Sequence, residues 1–191
     1  MTFIEHYNTM VFKATNMLNF IKRFSYNFKD PYTLKTLFIA YVRSILEYCS
    51  VVWSPHIKTH ETRIESVQKQ FLLFALRKLG WTVFPLPSYI ARCMLISLET
   101  LVKRREFASL SFVNDLIANR INSPELLQTL NFYEPTRVLR AREPFALHFH
   151  RTDYAKHGPM NRMMETYNKY NNIIDFTMTK STMKKQFYNQ R

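Results

Sequence analysis

The stretch Asp30-Pro31-Tyr32-Thr33-Leu34-Lys35-Thr36-Leu37-Phe38-Ile39-Ala40-Tyr41-Val42-Arg43-Ser44-Ile45-Leu46-Glu47-Tyr48, continued by Cys49-Ser50-Val51-Val52-Trp53-Ser54-Pro55, decides the fold. Asp30 can accept hydrogen bonds from the first free amides of a helix, and Pro31 fits the first turn because its missing N–H has no partner there. Leu34, Leu37, Phe38, Tyr41, Ile45 and Leu46 then recur at helical spacing as one apolar stripe about four turns long. Full burial of such side chains contributes roughly 1.5–3 kcal/mol each before entropy is subtracted, enough to anchor a fold.

The helix is expected to stop at Ser50 to Pro55, where Trp53 packs as a plug whose indole N–H needs an acceptor. Ile64, Val67, Phe71, Phe74 and Ala75 describe a second helix, with Arg63, Glu65, Lys69, Gln70 and Arg77 mostly off its stripe and Gly80 as its C-terminal cap. Residues 30–80 therefore read as a helix-turn-helix hairpin. Asp30, Pro31, Tyr48, Trp53, Pro55, Phe71 and Gly80 are its structural positions.

Outward from the hairpin the pattern stays helical. Tyr7, Val11, Ala14, Leu18 and Ile21 predict a helix from about Asn8 to Phe24. After a loop at Trp81 to Pro87, a short helix is expected, and then a long one capped by Ser97. The inner face of the long helix is Leu98, Leu101, Val102, Ala108, Phe112 and Leu116, with Arg105 at its partly buried edge. Ser123-Pro124-Glu125 opens another short helix, through Leu130. Asn131 to Gly158 is irregular, basic and aromatic; Pro159 to about Tyr170 is helical; and Ser181 to Arg191 forms a frayed helix. The predicted fold class is mainly α, with a helical domain over 1–130 and a basic, aromatic connector with short helices over 131–191.

Composition bounds the chemistry. A chain of 191 residues that is 47% hydrophobic and 15% aromatic has the apolar surface to order itself. Its two glycines, Gly80 and Gly158, leave no phosphate-cradling loop, which excludes P-loop and dinucleotide chemistry. Apolar runs stop far short of the roughly 20 residues of a membrane span, and no secretory leader is evident, so no membrane partner is expected. Cys49 and Cys93 are the only thiols, and a reduced, intracellular setting is the economical reading, with a disulfide between them as the alternative. The net charge of +13 implies a polyanionic partner, most often nucleic acid.

Several segments, in order, resemble one family. Phe20-Ile21-Lys22-Arg23, Asp30-Pro31-Tyr32-Thr33-Leu34-Lys35-Thr36-Leu37, Ser44-Ile45-Leu46-Glu47-Tyr48-Cys49-Ser50-Val51-Val52-Trp53-Ser54-Pro55 and Arg63-Ile64-Glu65-Ser66-Val67-Gln68-Lys69-Gln70-Phe71 are similar to the post-palm region of jockey-type non-LTR retrotransposon reverse transcriptases. Phe149-His150-Arg151-Thr152-Asp153-Tyr154 and Asp175-Phe176 resemble later segments of that region, and Thr2-Phe3-Ile4-Glu5-His6 the segment between palm and thumb. Asn19 departs from the small Gly usual in the family.

The resemblance implies a helical, thumb-like bundle that lies along RNA or an RNA:DNA template–primer duplex. It also implies the palm and fingers of a parent polymerase as a partner. Polymerase chemistry needs clustered carboxylates holding two Mg²⁺ ions. Here the 14 acidic residues are scattered singly, so Mg²⁺ belongs to the parent enzyme and neither catalysis nor a cofactor is expected of this chain. A helical protein-interaction module, or a transposon relic without function, is the alternative.

A thumb needs Lys and Arg aimed at phosphates. The candidate contacts are Lys22, Arg23, Lys29 and Lys35 near the hairpin, and Lys103, Arg104 and Arg105 on the long helix. Arg137, Arg140, Arg142 and Arg151, interleaved with Tyr133, Phe145, Phe149 and Tyr154, resemble a surface that stacks bases and clamps phosphates of a single strand; the equally open alternative is a loop whose aromatics cover the core. Cys49, His56 and His60 lack a fourth ligand and match no compact zinc spacing, so they read as turn and cap residues. His148, His150 and His157 with Asp153 lie in irregular backbone without a nucleophile, which favours contact or packing over acid–base work.

Overall fold

The computed structural model describes residues 3–28, 30–81, 85–133 and 143–189. The fold is mainly helical, and the described residues form two compact units, Met1–Arg104 and Arg105–Arg191.

In the first unit, α1 (Ile4–Phe24) leads through a short connection to α2 (Pro31–Leu37), a π-helical segment (Phe38–Arg43) and α3 (Ser44–Glu47). These three form one continuous arm antiparallel to α1, as a short link requires. Asp30 caps the arm as expected: its carboxylate accepts from the amides of Tyr32 (3.2 Å) and Thr33 (2.9 Å) and from the Thr33 hydroxyl (2.7 Å). The Thr33 hydroxyl, and after it the two amides, hold the Asp30 carboxyl below the usual carboxylate range.

The buried line of the arm is Leu34, Phe38, Val42 and Leu46, all fully buried. Tyr41, assigned to this stripe from the sequence, is exposed instead. In an α-helix a four-residue step drifts by about 40°. The wider π turn takes up that drift, so a strict four-residue spacing keeps facing the core.

Cys49 turns the chain with φ of 51°, α4 (Ser50–Trp53) makes one further turn, and the buried Pro55 precedes α5 (Lys58–Lys78). Trp53 is the plug. Its Nε1 donates to the carbonyl of Tyr48 at 2.6 Å, and its own carbonyl accepts from the Tyr7 phenol at 2.7 Å. Tyr48 thus contributes its backbone, while its ring is exposed. Gly80, with φ of 77°, closes α5: its amide bonds to Arg77 O and that of Trp81 to Leu76 O, a left-handed turn that satisfies two end carbonyls.

α1 and α5 run parallel, as the ring pair Tyr7–His60 (5.0 Å) and the Arg63–Asn8 hydrogen bond show at their N-terminal ends. The antiparallel arm closes the bundle, with Phe38 stacked on Phe71 at 4.1 Å. The expected start of α1 at Asn8 is corrected to Ile4, and its buried line is Tyr7, Met10, Ala14, Leu18 and Ile21.

Glu65 and Gln68, expected among the outer positions of α5 or left unassigned, are buried, Glu65 being 5% exposed. Glu65 accepts from the Tyr89 hydroxyl on α6 (Tyr89–Leu95) and, at 2.7 Å, from the amide of Val102 in the first turn of α7 (Leu101–Ile117). Gln68 donates to Tyr89 Oη (3.0 Å) and Glu99 O (2.9 Å). Both Glu65 oxygens and the Gln68 amide nitrogen are thus paired, whereas Gln68 Oε1 is buried without a partner. Thr100, not Ser97, caps α7, its hydroxyl accepting from the Lys103 amide at 3.3 Å; Ser97 turns the chain with φ of 55°.

The second unit begins inside α7, whose later turns hold its other helices. Glu106 accepts from Lys169 and Tyr170 at the end of α10 (Pro159–Lys169), and Asn114 donates to Met178 O at 3.0 Å. Phe107 packs on Phe187 of α11 (Lys180–Tyr188). Leu110, Val113 and Leu116 are the apolar buried positions here; Ala108 and Phe112, expected inside, are half-buried. α8 (Pro124–Gln128) and α9 (Asp153–Lys156) are short, and Phe132 and Phe145 form an isolated antiparallel bridge. The Asn168 amide accepts from Phe145 N and donates to Phe145 O, standing in for a neighbouring strand.

Candidate nucleic-acid interface

The expected phosphate contacts fall into three groups. Lys29, Arg137, Arg140 and Arg142 lie outside the described residues. A second group is committed within the fold. Lys35 donates its Nζ to Ser97 O at 2.8 Å, meeting a carbonyl where the chain turns left-handed. Arg104 grips Glu47 through Nε and through Nη2 (2.8 Å), in a two-point pair that Arg43 flanks at 3.8 Å. Arg105 is only 4% exposed, which removes it from any surface, and Lys103 is half-buried.

The third group remains at the surface. Lys22 is half-buried and Arg23 exposed in the last turn of α1, and Arg151 is exposed in the second unit. Phe149 (95% exposed) and Tyr154 flank Arg151 in sequence, but Phe145, expected beside them, is buried against Tyr167 and Phe176. Among the described residues no group of three or more His, Cys, Asp or Glu is placed to hold a metal ion. Cys49 and Cys93 are free thiols, the latter buried and its pKa raised chiefly by that burial.

Because α1 and α5 are parallel, their C-terminal turns end together. That brings Lys22 to face Arg77 and Lys78 to the turn after α1, with Arg23 in the same last turn of α1 as Lys22. Lys78 Nζ donates to Tyr26 O at 2.5 Å and sits over the Tyr26 and Phe74 rings, at 5.2 and 5.8 Å. Lys22 is held below the usual lysine range, first by burial and then by the Arg77 charge facing it. The partial negative charge of helix C-termini favours cations there, which is how the fold accommodates four at one end.

The sequence around them supplies no counter-charge. From His6 to Lys29, and again from Ser66 to Leu98, there is no Asp or Glu. Arg77, exposed, and Lys78, which like Lys35 donates to a backbone carbonyl, are the candidate contacts that sequence reasoning missed. Those two acid-free stretches, which cover the C-terminal turns of both parallel helices, are the signal that could have found them.

What such an end can do chemically is hold an anion: an oxyanion placed between Lys22 and Arg77 relieves their mutual repulsion. Comparison of the chain with protein-family models, with curated proteins and with solved structures finds no match in any of the three.

Proposed function

We propose that the chain is a non-catalytic, post-palm thumb region of a jockey-type non-LTR retrotransposon reverse transcriptase, and that it binds RNA or RNA:DNA duplex through the backbone phosphates. The observation that carries the reading is the convergence of Lys22, Arg23, Arg77 and Lys78 at one end of two parallel helices, with Lys22 and Arg77 facing each other and no acidic residue in either helical stretch. The ordered sequence resemblance and the net charge of +13 support the same partner. Contacts of this kind supply affinity and position without reading bases.

A salt titration of binding tests it. Each neutralised phosphate adds about 0.7–0.9 to the slope of log K against log salt, so four cations predict a slope near −3, independent of sequence. Absence of affinity at low salt, or affinity that ignores salt, overturns the reading.

A further inference from the structure

The C-terminal end of α1 carries uncovered aromatic rings among its cations. Phe20, Phe24 and Tyr26 are 53%, 72% and 79% exposed. Phe20 and Phe24 are stacked, with ring centroids 5.8 Å apart and planes 15° from parallel, and Phe24, the last residue of α1, is the outer ring of the pair. The Ser25 amide and hydroxyl both bond to Ile21 O, at 2.8 and 2.6 Å, and carry the helical turn past Phe24 towards Tyr26. Lys78 of α5 pins Tyr26 there: its Nζ donates to the Tyr26 carbonyl at 2.5 Å and stands 5.2 Å from the ring centroid. The Tyr26 ring is nevertheless open to solvent.

Rings and cations are interleaved. Arg23 is exposed and lies three residues after Phe20, a neighbouring position on a helix surface, and three before Tyr26. Lys22, beside Arg23, faces Arg77 of α5. No Asp or Glu interrupts this chain segment before Asp30, whose carboxylate is taken up by the Tyr32 and Thr33 amides that it caps.

Phosphate contacts account for the cations but leave the rings idle. A duplex hides its base faces in its own stack and offers such rings only sugar and phosphate. An unpaired strand offers both partners at once: base faces for the rings and phosphates for the cations, in a sequence-tolerant way because every base has a π face. We propose that this end of the first unit binds an unpaired stretch of RNA or DNA, its bases stacked on Phe24 and Tyr26 and its phosphates held by Arg23, Lys22 and Arg77. The proposal rests on the phosphate-binding function proposed above and narrows its substrate to the single-stranded part of a nucleic acid.

The test is an anisotropy titration of the full chain with a mixed-sequence single strand of about 12 nucleotides and with a blunt RNA:DNA duplex of the same length. Phosphate contacts alone favour the duplex, which has twice the charge per unit length. The expected result is the reverse, with the single strand bound at least ten-fold more tightly. Phe24→Leu with Tyr26→Leu, both at exposed positions, lowers single-strand affinity ten-fold or more and leaves duplex affinity and both salt slopes in place. The same variant also loses the fluorescence quenching of a 2-aminopurine base placed in the strand. Duplex binding as tight as that of the strand, or a leucine variant that weakens both ligands alike or neither, overturns the inference and leaves the phosphate-binding function standing. Absence of affinity for both ligands overturns the two together. Tighter binding of polyglutamate than of the strand, lost in the leucine variant, assigns the rings to an acidic protein and overturns the inference as well.

Discussion

The Tyr7 phenol donates a 2.7 Å hydrogen bond to the carbonyl of Trp53, tying the second turn of α1 to the residue that closes the hairpin. Both side chains are buried, their rings 5.9 Å apart edge to face. Trp53 in turn donates to Tyr48 O, so the plug is held at both ends. Tyr7→Phe keeps the ring and removes the donor, leaving a buried carbonyl short of a partner. The expected cost is about 1–2 kcal/mol, read as a lower urea midpoint with an unchanged slope. Trp53→Ala should cost more, about 3–5 kcal/mol, because a cavity is added to the lost bond.

Tyr89 links the chain's stability to alkaline pH. Burial, and after it the Glu65 carboxylate that accepts its proton, push the phenol far above the ordinary tyrosine range. A group whose folded pKa is raised gives its full stabilisation below the unfolded value, about pH 10, and loses it as pH rises beyond. Urea denaturation at pH 8 to 11 is therefore expected to show stability falling above about pH 10. Tyr167, raised mainly by burial, adds to the fall. In Tyr89→Phe the decline is shallower and the stability at pH 8 lower, since Glu65 and Gln68 lose a partner.

How much of this was legible in the residues differs from element to element. The Asp30-Pro31 cap, the Trp53 plug and the Gly80 turn are local chemistry, and the side chains alone predict them. The mainly helical class follows from the apolar periodicity for the same reason. The register of the arm does not, because periodicity assumes 3.6 residues per turn and the π turn at Phe38–Arg43 hands Val42 the place expected for Tyr41. Glu65 was assigned outward because a carboxylate normally is; its burial depends on Tyr89 and the Val102 amide, both distant in sequence.

The candidate site was legible only in part, for a related reason. Charge type identifies Arg104 and Lys35 as cations, but not that Glu47 and Ser97 O already engage them. Arg77 and Lys78 join Lys22 only through the parallel packing of α1 and α5, a relationship that no local pattern encodes.

Lys22 should separate stability from binding. Its charge sits partly buried against Arg77, so Lys22→Gln removes a repulsion in the free protein and a phosphate contact in the complex. The expected outcome is a melting temperature at or above that of the parent chain at neutral pH, together with weaker nucleic-acid binding. A lysine with only a structural role would move both downward. Thermal scans without ligand, beside anisotropy titrations with an RNA:DNA duplex, check the two signs.

The most direct measurement for the central claim is the salt dependence of duplex binding by the chain carrying Lys22→Gln, Arg23→Gln, Arg77→Gln and Lys78→Gln together, compared with the unaltered chain. The account predicts that the slope of log K against log salt flattens by about 3, at 0.7–0.9 per lost phosphate contact, with circular dichroism unchanged. An identical slope in the two proteins would contradict it.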